Sequence, residues 1–440
     1  MSQQSELCVG LALAMSWLTK SGWRRADSQV EQLFSVSDYI DLTKQAEAAK
    51  LDFVFRPDTL FLPTEMVAQE PGFSSLDPMV LLSAIATSTT HIGLVSTAST
   101  TFNPPYVVAR QLQSLNWLSQ GRAGWNIVTA LDGQYNFGQQ AMLPSEQRYQ
   151  VAAEFTDVVQ KLWRSYPNDA LLYDRQSGHF AAAEKVQAID HQGEHFAVKG
   201  PLNVPQYPSG DIPLFQAGAS PWGRNFAAKV ANAIFAATPD LQAGIELRQD
   251  MRRRAQQHGR NPDDIKVLPG LSLYLADDYE QALALYQSTH TTLTHERKLA
   301  YLAKHLDVDF SELALGDHIH ADMLPSTQQN VHSHTHTQLL RQFIERETPT
   351  LEQLLTRPEV MGSSHWLVIG TPHDAVDSIV ERVEAGAADG FIAVPGGSRQ
   401  SAALFFDQVM PMLQQRGLFR SEYQGTTLRE HLNLPEHLNI

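Results

Sequence analysis

Residues 121–138, GRAGWNIVTALDGQYNFG, decide the predicted fold. A glycine turn leads into a short apolar run that carries Asn126 and Thr129 near its end, and a polar loop with aromatic residues follows. A strand that ends in polar residues and opens into a loop is typical of an α/β barrel, which keeps its site at the carboxyl ends of its strands. The segment therefore predicts both a fold class and the place of a site.

The rest of the chain alternates short apolar runs with amphipathic stretches of helical length, several of them preceded by capping residues. This alternation predicts a parallel sheet with helices outside it. Eight strands with helices between them indicate a (β/α)8 TIM barrel rather than an open sheet. The predicted strands are residues 9–14, 52–55, 92–97, 123–129, 213–218, 233–236, 267–275 and 391–394.

Two regions do not fit the simple repeat and are predicted to be insertions. Residues 171–213 are rich in glycine, proline and aromatic residues without helical period, which predicts a long excursion with a short hairpin. Residues 286–370 contain several helical segments, and a barrel of about 250 residues does not need them. We expect this second region to be a large helical insertion after strand seven, near the mouth of the barrel.

Composition excludes several classes of partner. The formal charge is −15 and no run of five or six basic residues occurs, so neither a nucleic-acid nor a membrane-surface partner is indicated. Cys8 is the single cysteine, which excludes an internal disulfide and favours the cytoplasm. Residues 7–18 are apolar but too few to span a bilayer, and no positive charge precedes them. They are predicted to hold a buried first strand rather than a signal peptide.

The sequence gives little indication of a metal site, a nucleotide-binding motif or a hydrolase nucleophile. His332, His334 and His336 would share one face of a strand, but no carboxylate lies nearby to complete a metal site, and we expect no metal. A Walker loop, a G-x-G-x-x-G turn after the first strand and a G-x-S-x-G elbow are all missing from the sequence.

The barrel prediction collects mostly neutral hydrogen-bonding residues at the ends of the strands. Such a lining suits a planar polar heterocycle better than a divalent cation. A strand, a small-residue turn and a helix start at residues 216–224 predict a phosphate-binding position beside Ser220. The collected residues are Arg56 and Asp58, residues 99–103, Asn126 and Thr129, and residues 216–220.

Each of these residues also has a purely structural interpretation. Asp58 could pair with Arg56 or cap a turn, Ser220 could serve as a helix N-cap, and Tyr149 could be a core aromatic residue. Asn126 in an apolar strand is more informative, because a buried amide without partners costs about 1 to 3 kcal/mol. It must bind a ligand or make a structural hydrogen bond.

The motifs together resemble the two-component, FMN-dependent monooxygenases of the bacterial luciferase-like superfamily, in the branch that contains nitrilotriacetate monooxygenase and dibenzothiophene-sulfone monooxygenase. Several long motifs occur in the family's order and span most of the chain. They are RPDTLFL (56–62), STTFNPPYVVAR (99–110), GRAGWNIVTA (121–130), NFG (136–138), RYQVAAEFTDVVQKLW (148–163), QAGASPWGR (216–224) and GTPHDAVDSIVERVEAGAADGFIAVP (370–395).

The resemblance implies one luciferase-like barrel domain over residues 1–440 that binds FMNH2 from a separate NAD(P)H-dependent flavin reductase. In this family O2 reacts with reduced flavin to give a C4a-(hydro)peroxide, which oxygenates or cleaves a small organic sulfur or nitrogen compound. Relatives are commonly homodimers or homotetramers. Two other hypotheses stay open, namely a deazaflavin (F420)-dependent hydride-transfer enzyme on the same barrel and a non-catalytic flavin-binding protein.

The resemblance also assigns roles to residues, although it assigns no catalytic residue. Asp58, Thr101 and Asn126 would surround the flavin ring, whereas Tyr149, Ser220 and the backbone of Ala219 would hold the phosphate end. Ser145 stands where many relatives have a histidine four residues before the helix tyrosine, and its hydroxyl can still donate a hydrogen bond.

The surroundings of the flavin are less specific. Trp17, Phe55, Phe102 and Trp125 would line the site or belong to the core, and residues 286–370 would close over it as a lid. The segment LTKSGWRRADS (18–28) keeps the family's Trp23 and Arg24 but lacks the histidine that usually precedes them. Because this loop lies at the substrate end, we expect a substrate different from those of the best-known members.

Overall fold

A computed structural model describes residues 6–325 and 334–434 of the chain. Eight parallel strands close into a barrel in the order β1-β2-β3-β4-β9-β10-β11-β13, with β13 returning to β1. The strands are β1 (Cys8–Ala12), β2 (Phe53–Arg56), β3 (Gly93–Ser99), β4 (Ala123–Val128), β5 (Leu171–Asp174), β6 (His179–Ala181), β7 (His191–Gln192), β8 (Ala197–Val198), β9 (Leu214–Gln216), β10 (Ala233–Ala236), β11 (Lys266–Leu275), β12 (Trp366–Gly370) and β13 (Gly390–Pro395).

The helices lie outside the barrel and over its mouth. They are α1 (Val36–Ala48), α2 (Thr64–Val67), α3 (Pro78–Ala86), α4 (Pro105–Leu118), α5 (Ser145–Arg164), α6 (Pro221–Val230), α7 (Leu241–Gln257), α8 (Tyr279–Thr289), α9 (His295–Leu306), α10 (His334–Glu347), α11 (Leu351–Leu355), α12 (Pro358–Met361), α13 (Pro372–Glu384), α14 (Arg399–Leu404), α15 (Met410–Gln415) and α16 (Leu428–His431). No helix in the described part of the chain is long and apolar enough to cross a membrane.

The predicted (β/α)8 barrel is confirmed, and each of the eight predicted strands corresponds to a barrel strand. The sequence did not predict β12, which the barrel does not require for closure. The first part of β11 pairs with β10, and Leu271–Leu275 of the same strand pair with β12. The unusually long β11 therefore carries an additional strand at the mouth of the barrel.

Both predicted insertions contain the expected kinds of structure. Residues 171–213 form two short antiparallel pairs, β5 with β6 and β7 with β8. Helices α9 to α12 pack around a separate apolar cluster that includes Leu302, Phe310 and Ile344, and β12 follows them. His332 lies outside the described residues. Because α10 begins at His334, the strand-face argument for a histidine metal site is wrong for the described part of this segment.

The barrel separates an inner apolar cluster from an outer one. Phe55 belongs to the inner cluster, and its ring centroid lies 5.5 Å from that of Phe235. Trp125 belongs to the outer cluster and packs against Phe155 and Trp163 of α5 at centroid distances of 6.1 and 6.2 Å. Since successive residues of a strand point to opposite faces, Asn126 points into the barrel.

Candidate functional site

Two adjoining cavities lie at the carboxyl ends of the barrel strands. The first has a volume of about 480 Å³ and lies between the segments that follow β2, β3, β4 and β9 and the start of α5. Its lining residues are Asp58, Thr59, Leu60, Phe61, Phe73, Thr97, Ser99, Ile127, Val128, Thr129, Ala130, Leu131, Asp132, Ser145, Arg148, Tyr149, Gln216, Ala217, Gly218, Ala219, Ser220 and Thr335.

The structure brings most of the predicted site residues together in this first cavity. Asp58, Ser145, Tyr149, Ala219 and Ser220 all line it, although 162 residues separate Asp58 from Ser220 along the chain (220 − 58). Asn126 and Thr101 are not among the lining residues, but each is hydrogen-bonded to a residue that is. Five of the seven predicted cofactor-binding residues therefore line one cavity at the strand ends, and their binding roles stay predictions.

Asn126 makes one hydrogen bond and leaves one atom unsatisfied. Its Nδ2 donates to Thr97 Oγ1 at 2.9 Å, and Thr97 lines the cavity. The buried Oδ1 of Asn126 accepts no hydrogen bond within the described residues. Leaving a buried acceptor unsatisfied costs about 1 to 3 kcal/mol, so this oxygen is suited to a hydrogen-bond donor from a bound molecule.

Thr101 acts on the cavity through the backbone. Its Oγ1 accepts a hydrogen bond from the backbone N–H of Ala130 at 3.0 Å, and Ala130 lines the cavity. The side chain thereby fixes the loop after β4 at the wall of the site. The predicted direct contact of Thr101 with a ligand stays a prediction.

Asp58 has an environment that makes ionisation of its carboxyl less favourable than in water. Burial raises the pKa of Asp58 to about 6, and the negative charge of Asp77 adds to this effect, whereas the backbone N–H of Thr59 and the charge of Arg56 lower the pKa. A carboxyl with this pKa exchanges its proton near neutral pH, so it can act as a hydrogen-bond donor or acceptor toward a bound molecule.

Two helix N-termini meet at the other end of the first cavity. Ser145 begins the 20-residue helix α5, and Ser220 precedes the 10-residue helix α6. Ser220 Oγ accepts from the backbone N–H of Gly223 at 3.1 Å, so Ser220 is an N-cap and its hydroxyl proton remains free to donate. Because a helix N-terminus attracts anions, this end suits a phosphate.

Arg148 adds a cation at this end, and the sequence reasoning missed it although Arg148 was part of a quoted motif. It lines the first cavity, and its Nε is buried without a partner within the described residues. Burial lowers the pKa of Arg148, while Tyr149 opposes this effect. An arginine keeps its charge in spite of such a shift, so it can pair with an anion.

Tyr149 is fixed by close packing against the turn after β9. Gln216 Nε2 donates to Tyr149 Oη at 3.3 Å, and Gln216 Oε1 is buried with no partner within the described residues. A Cβ atom on Gly223 would lie 2.6 Å from Tyr149 Oη, and one on Gly218 would be closer still. Glycine at both positions therefore leaves room for the tyrosine hydroxyl.

Of the two alternatives for the four aromatic residues, site lining or core, the structure favours the core for Trp17, Phe55 and Trp125, and none of the four lines either cavity. Trp125 packs toward the helices, Phe55 lies in the inner cluster, and the Trp17 indole donates to the Ser28 carbonyl at 3.3 Å. Phe102 stacks on Phe137 at 4.4 Å. The aromatic residues that do line the first cavity are Phe61, Phe73 and Tyr149. Alternation along buried strands could not distinguish the two faces, because both faces are apolar.

The second cavity has a volume of about 380 Å³ and shares Phe73 with the first. Tyr274, Tyr286 and His290 form a ring cluster on one side of it, with centroid distances of 4.9 Å between the tyrosines and 4.3 Å between Tyr286 and His290. Helix α12 and the start of β12 close another side. The other lining residues are Ala14, Ser16, Thr19, Lys20, Met66, Glu70, Gly72, Ser272, Pro358, Met361, Gly362, Ser363, His365, Leu367, Val394 and Gly396.

Comparison with known proteins gives a consistent result. Residues 15–389 match the family described as luciferase-like monooxygenase. N-acetyl-S-(2-succino)cysteine monooxygenase of Bacillus subtilis (strain 168) is 36% identical, with 100% of this chain and 99% of that protein covered. Nitrilotriacetate monooxygenase component A of Aminobacter aminovorans is 36% identical at the same coverage. Dibenzothiophene-sulfone monooxygenase of Rhodococcus erythropolis is 35% identical over 94% of this chain and 92% of that protein.

Solved structures agree with this result. A riboflavin lyase in complex with modified FMN and riboflavin superposes with a TM-score of 0.82 and 31% identity, covering 97% of this chain and 96% of that chain. An F420-dependent secondary alcohol dehydrogenase shares the fold at a TM-score of 0.58 but only 13% identity, with 92% of this chain and 99% of that chain covered. The second likeness concerns the fold alone.

Proposed function

The chain belongs to the luciferase-like monooxygenase family, and from this premise we propose that its first cavity binds reduced FMN for the oxygenation of a small organic sulfur or nitrogen compound. The resemblance found in the sequence motifs is confirmed, and the chain is a flavin-dependent monooxygenase. The observation that carries the cofactor proposal is the convergence of Asp58, Tyr149 and Ser220 on one cavity. Its wall includes the unsatisfied amide oxygen of Gln216, and its lining residue Thr97 is hydrogen-bonded to Asn126, whose amide oxygen is also unsatisfied within the described residues.

The polar groups around the first cavity fit the two chemically different ends of FMN. A flavin ring carries N–H and carbonyl groups in one plane, and Asn126 Oδ1 and Gln216 Oε1 are acceptors without partners in the described chain. Asp58 can donate or accept near neutral pH. Together with Thr97, these residues would hold the ring. This arrangement does not involve a metal ligand.

The phosphate would lie at the opposite end, where Ser145, Arg148, Tyr149 and Ser220 meet. Arg148 supplies a full positive charge, and the starts of α5 and α6 supply backbone N–H groups. The serine at position 145 contributes a hydroxyl where relatives commonly have a histidine. Ala219 would contribute its backbone.

Bound FMNH2 supplies the two electrons and two protons that allow one atom of O2 to enter the substrate and the other to leave as water. The residues of this chain bind and orient the reactants and restrict water. Apolar residues such as Phe61, Ile127 and Val128 make up much of the lining and would restrict water around the ring. We propose that a separate NAD(P)H-dependent flavin reductase renews the reduced cofactor, as in a two-component system.

The alternatives differ in their support. An F420-dependent hydride transfer rests on distant structures that share only the fold. A non-catalytic flavin-binding role is disfavoured because the chain matches named monooxygenases over its whole length. The assembly of the chain as a homodimer or homotetramer and its cytoplasmic location remain predictions.

The test combines the purified chain with FMN, NADH, a generic flavin reductase and a panel of small thioethers, sulfones and amines under ¹⁸O2. Mass spectrometry should detect a product with one added ¹⁸O atom, or cleavage products, only when the reductase is present. Tyr149→Phe serves as a variant with weakened cofactor binding. Conversion without O2 would favour hydride transfer instead, and cofactor binding without any product would favour a flavin-binding protein.

A further inference from the structure

The second cavity carries almost no net charge. Within the described part of the chain, Lys20 and Glu70 are its only lysine, arginine, aspartate or glutamate lining residues. Burial lowers the pKa of His365 to about 4, with a further contribution from His336, and burial also lowers the pKa of His290. Both imidazoles are therefore neutral at neutral pH, and Met66, Phe73, Met361, Leu367 and Val394 make the rest of the lining largely apolar.

Lys20 is held in place by its backbone. It has a φ of 54°, a left-handed conformation that is uncommon for a lysine. Its backbone N–H donates to the Glu70 carboxylate at 2.5 Å. The next residue, Ser21, is tied to the end of α8 by a backbone hydrogen bond to Thr289 at 2.9 Å, and the Trp23 indole donates to the Gln69 carbonyl at 2.8 Å. The loop is therefore fixed to two neighbouring segments.

The ammonium group of Lys20 has no partner among residues 6–325 and 334–434. Within the described residues, the interaction of Lys20 is the backbone bond to Glu70, and no carboxylate lies within ion-pair distance of its Nζ. The positive charge of Lys20 nevertheless contributes to the lowered pKa of His290, which lies in the ring cluster. The charge thus acts on the aromatic side of the cavity and is available to a ligand.

An open groove on the outside of the same loop leads to Lys20. Its lining includes Arg24 and Arg297 as well as Lys20, and Glu296 is the single acidic residue among the described residues that line it. The groove is therefore locally positive on a chain whose formal net charge is −15. Such a local field attracts anions toward one place on an otherwise acidic surface.

We propose that the second cavity binds the substrate of the monooxygenase, and that this substrate is a small monoanion with a thioether or aryl body whose anionic group pairs with Lys20. This inference rests on the proposed function of the first cavity, which Phe73 joins to the second. Lys20 is the one lysine or arginine among the described lining residues of the second cavity, and its Nζ makes no ion pair with Glu70, so it can pair with one anionic group. A second or third carboxylate would face Glu70 or the apolar wall, where an unpaired charge is costly.

The experiment measures equilibrium binding of three molecules with one common body by calorimetry, using the full chain with FMN. The probes are (phenylthio)acetate, its neutral amide (phenylthio)acetamide, and the dianion (phenylthio)succinate. The wild type should bind the monoanion at least tenfold more tightly than either of the others. Lys20→Met should weaken binding of the monoanion by about tenfold to a hundredfold and binding of the amide less than about twofold.

Two controls separate this inference from its premise. Lys44→Met, on the exposed face of α1, removes the same charge elsewhere and should leave all three affinities unchanged. Titration with reduced FMN should give the same affinity in the wild type and in Lys20→Met. If neither the wild type nor Lys20→Met binds reduced FMN, the proposed function of the first cavity is refuted.

The substrate proposal has its own contradicting results. With FMN binding intact, the proposal is refuted if Lys20→Met weakens binding of the monoanion and of the amide equally. It is also refuted if the dianion binds more tightly than the monoanion. It is equally refuted if the wild type binds none of the probes at millimolar concentration. Lys20→Arg should keep the preference for the monoanion over the amide, because the charge is retained.

Discussion

The close packing of Tyr149 against α6 predicts an unusual effect of Gly223→Ala. Alanine in a helix is normally more stable than glycine by about 1 kcal/mol. Here the new Cβ would lie 2.6 Å from Tyr149 Oη, whereas ordinary contact begins at 3.4 Å, so the hydroxyl must retreat by about 0.8 Å (3.4 − 2.6). Overpacking of this kind costs about 1 to 3 kcal/mol. The net effect should be a loss of about 0 to 2 kcal/mol.

The cause can be isolated with a double-mutant cycle. Tyr149→Phe removes the hydroxyl oxygen, so the same Gly223→Ala change should cost less in that background, where the backbone of Gly218 at 3.0 Å from the new Cβ is the remaining close contact. We expect a coupling of about 1 to 3 kcal/mol in denaturant unfolding, and weaker binding of reduced FMN by the Gly223→Ala single variant. Gly316→Ala, in a turn where no atom lies within 4 Å of the new Cβ, is the control for an added methyl group without a close contact. If the two changes add within about 0.5 kcal/mol, Tyr149 Oη is not the constraint and the reasoning fails.

Three further predictions concern the first cavity. Asn126→Ala should weaken the binding of reduced FMN by about 0.5 to 1.5 kcal/mol in a fluorescence titration, because a hydrogen bond to the ring is lost. An unchanged titration curve would exclude Asn126 from the ring site. Ser220→Ala should reduce the preference for FMN over riboflavin, and a retained preference would exclude Ser220 from the phosphate end. Because burial raises the pKa of Asp58 to about 6, the folded state holds this proton more tightly than the unfolded state. Its contribution to the free energy of unfolding should therefore fall as the pH rises from about 4 to about 6. Asp58→Asn should abolish that part of the pH profile, and identical profiles for the two proteins would contradict the assignment.

The sequence predicted the barrel because its strands and helices follow the local rules of an α/β fold. The glycine turn at residue 121 and the apolar run after it correspond to β4, which extends over Ala123–Val128. The missed strand β12 has a burial pattern that alternates between buried and half-buried residues, but it stands at the end of a region dominated by helices. It forms because β11 extends beyond its pairing with β10, and the length of a partner strand cannot be read from β12 itself.

The two cavities differ in how far they could be predicted. The first cavity is built largely from strand ends, and the barrel brings strand ends together in a known order, so Asp58 and Ser220 could be placed near each other. The second cavity combines loop residues such as Lys20 and Glu70 with His290 and His365 of the second insertion. No periodic pattern relates these positions. Only the absence of the expected histidine before Trp23 pointed to this region.

Phe73 lines both cavities, and its ring packs edge-on against Phe61 at a centroid distance of 5.7 Å. The phosphate-end residues of the first cavity lie on other segments of the chain. In evolution, a smaller or larger side chain at this one position can therefore change the space open to the substrate. The residues proposed to bind the phosphate end of the cofactor need not change. One fold can therefore accept different substrates through a change at the residue shared by the two cavities, while the residues proposed to bind the cofactor stay the same.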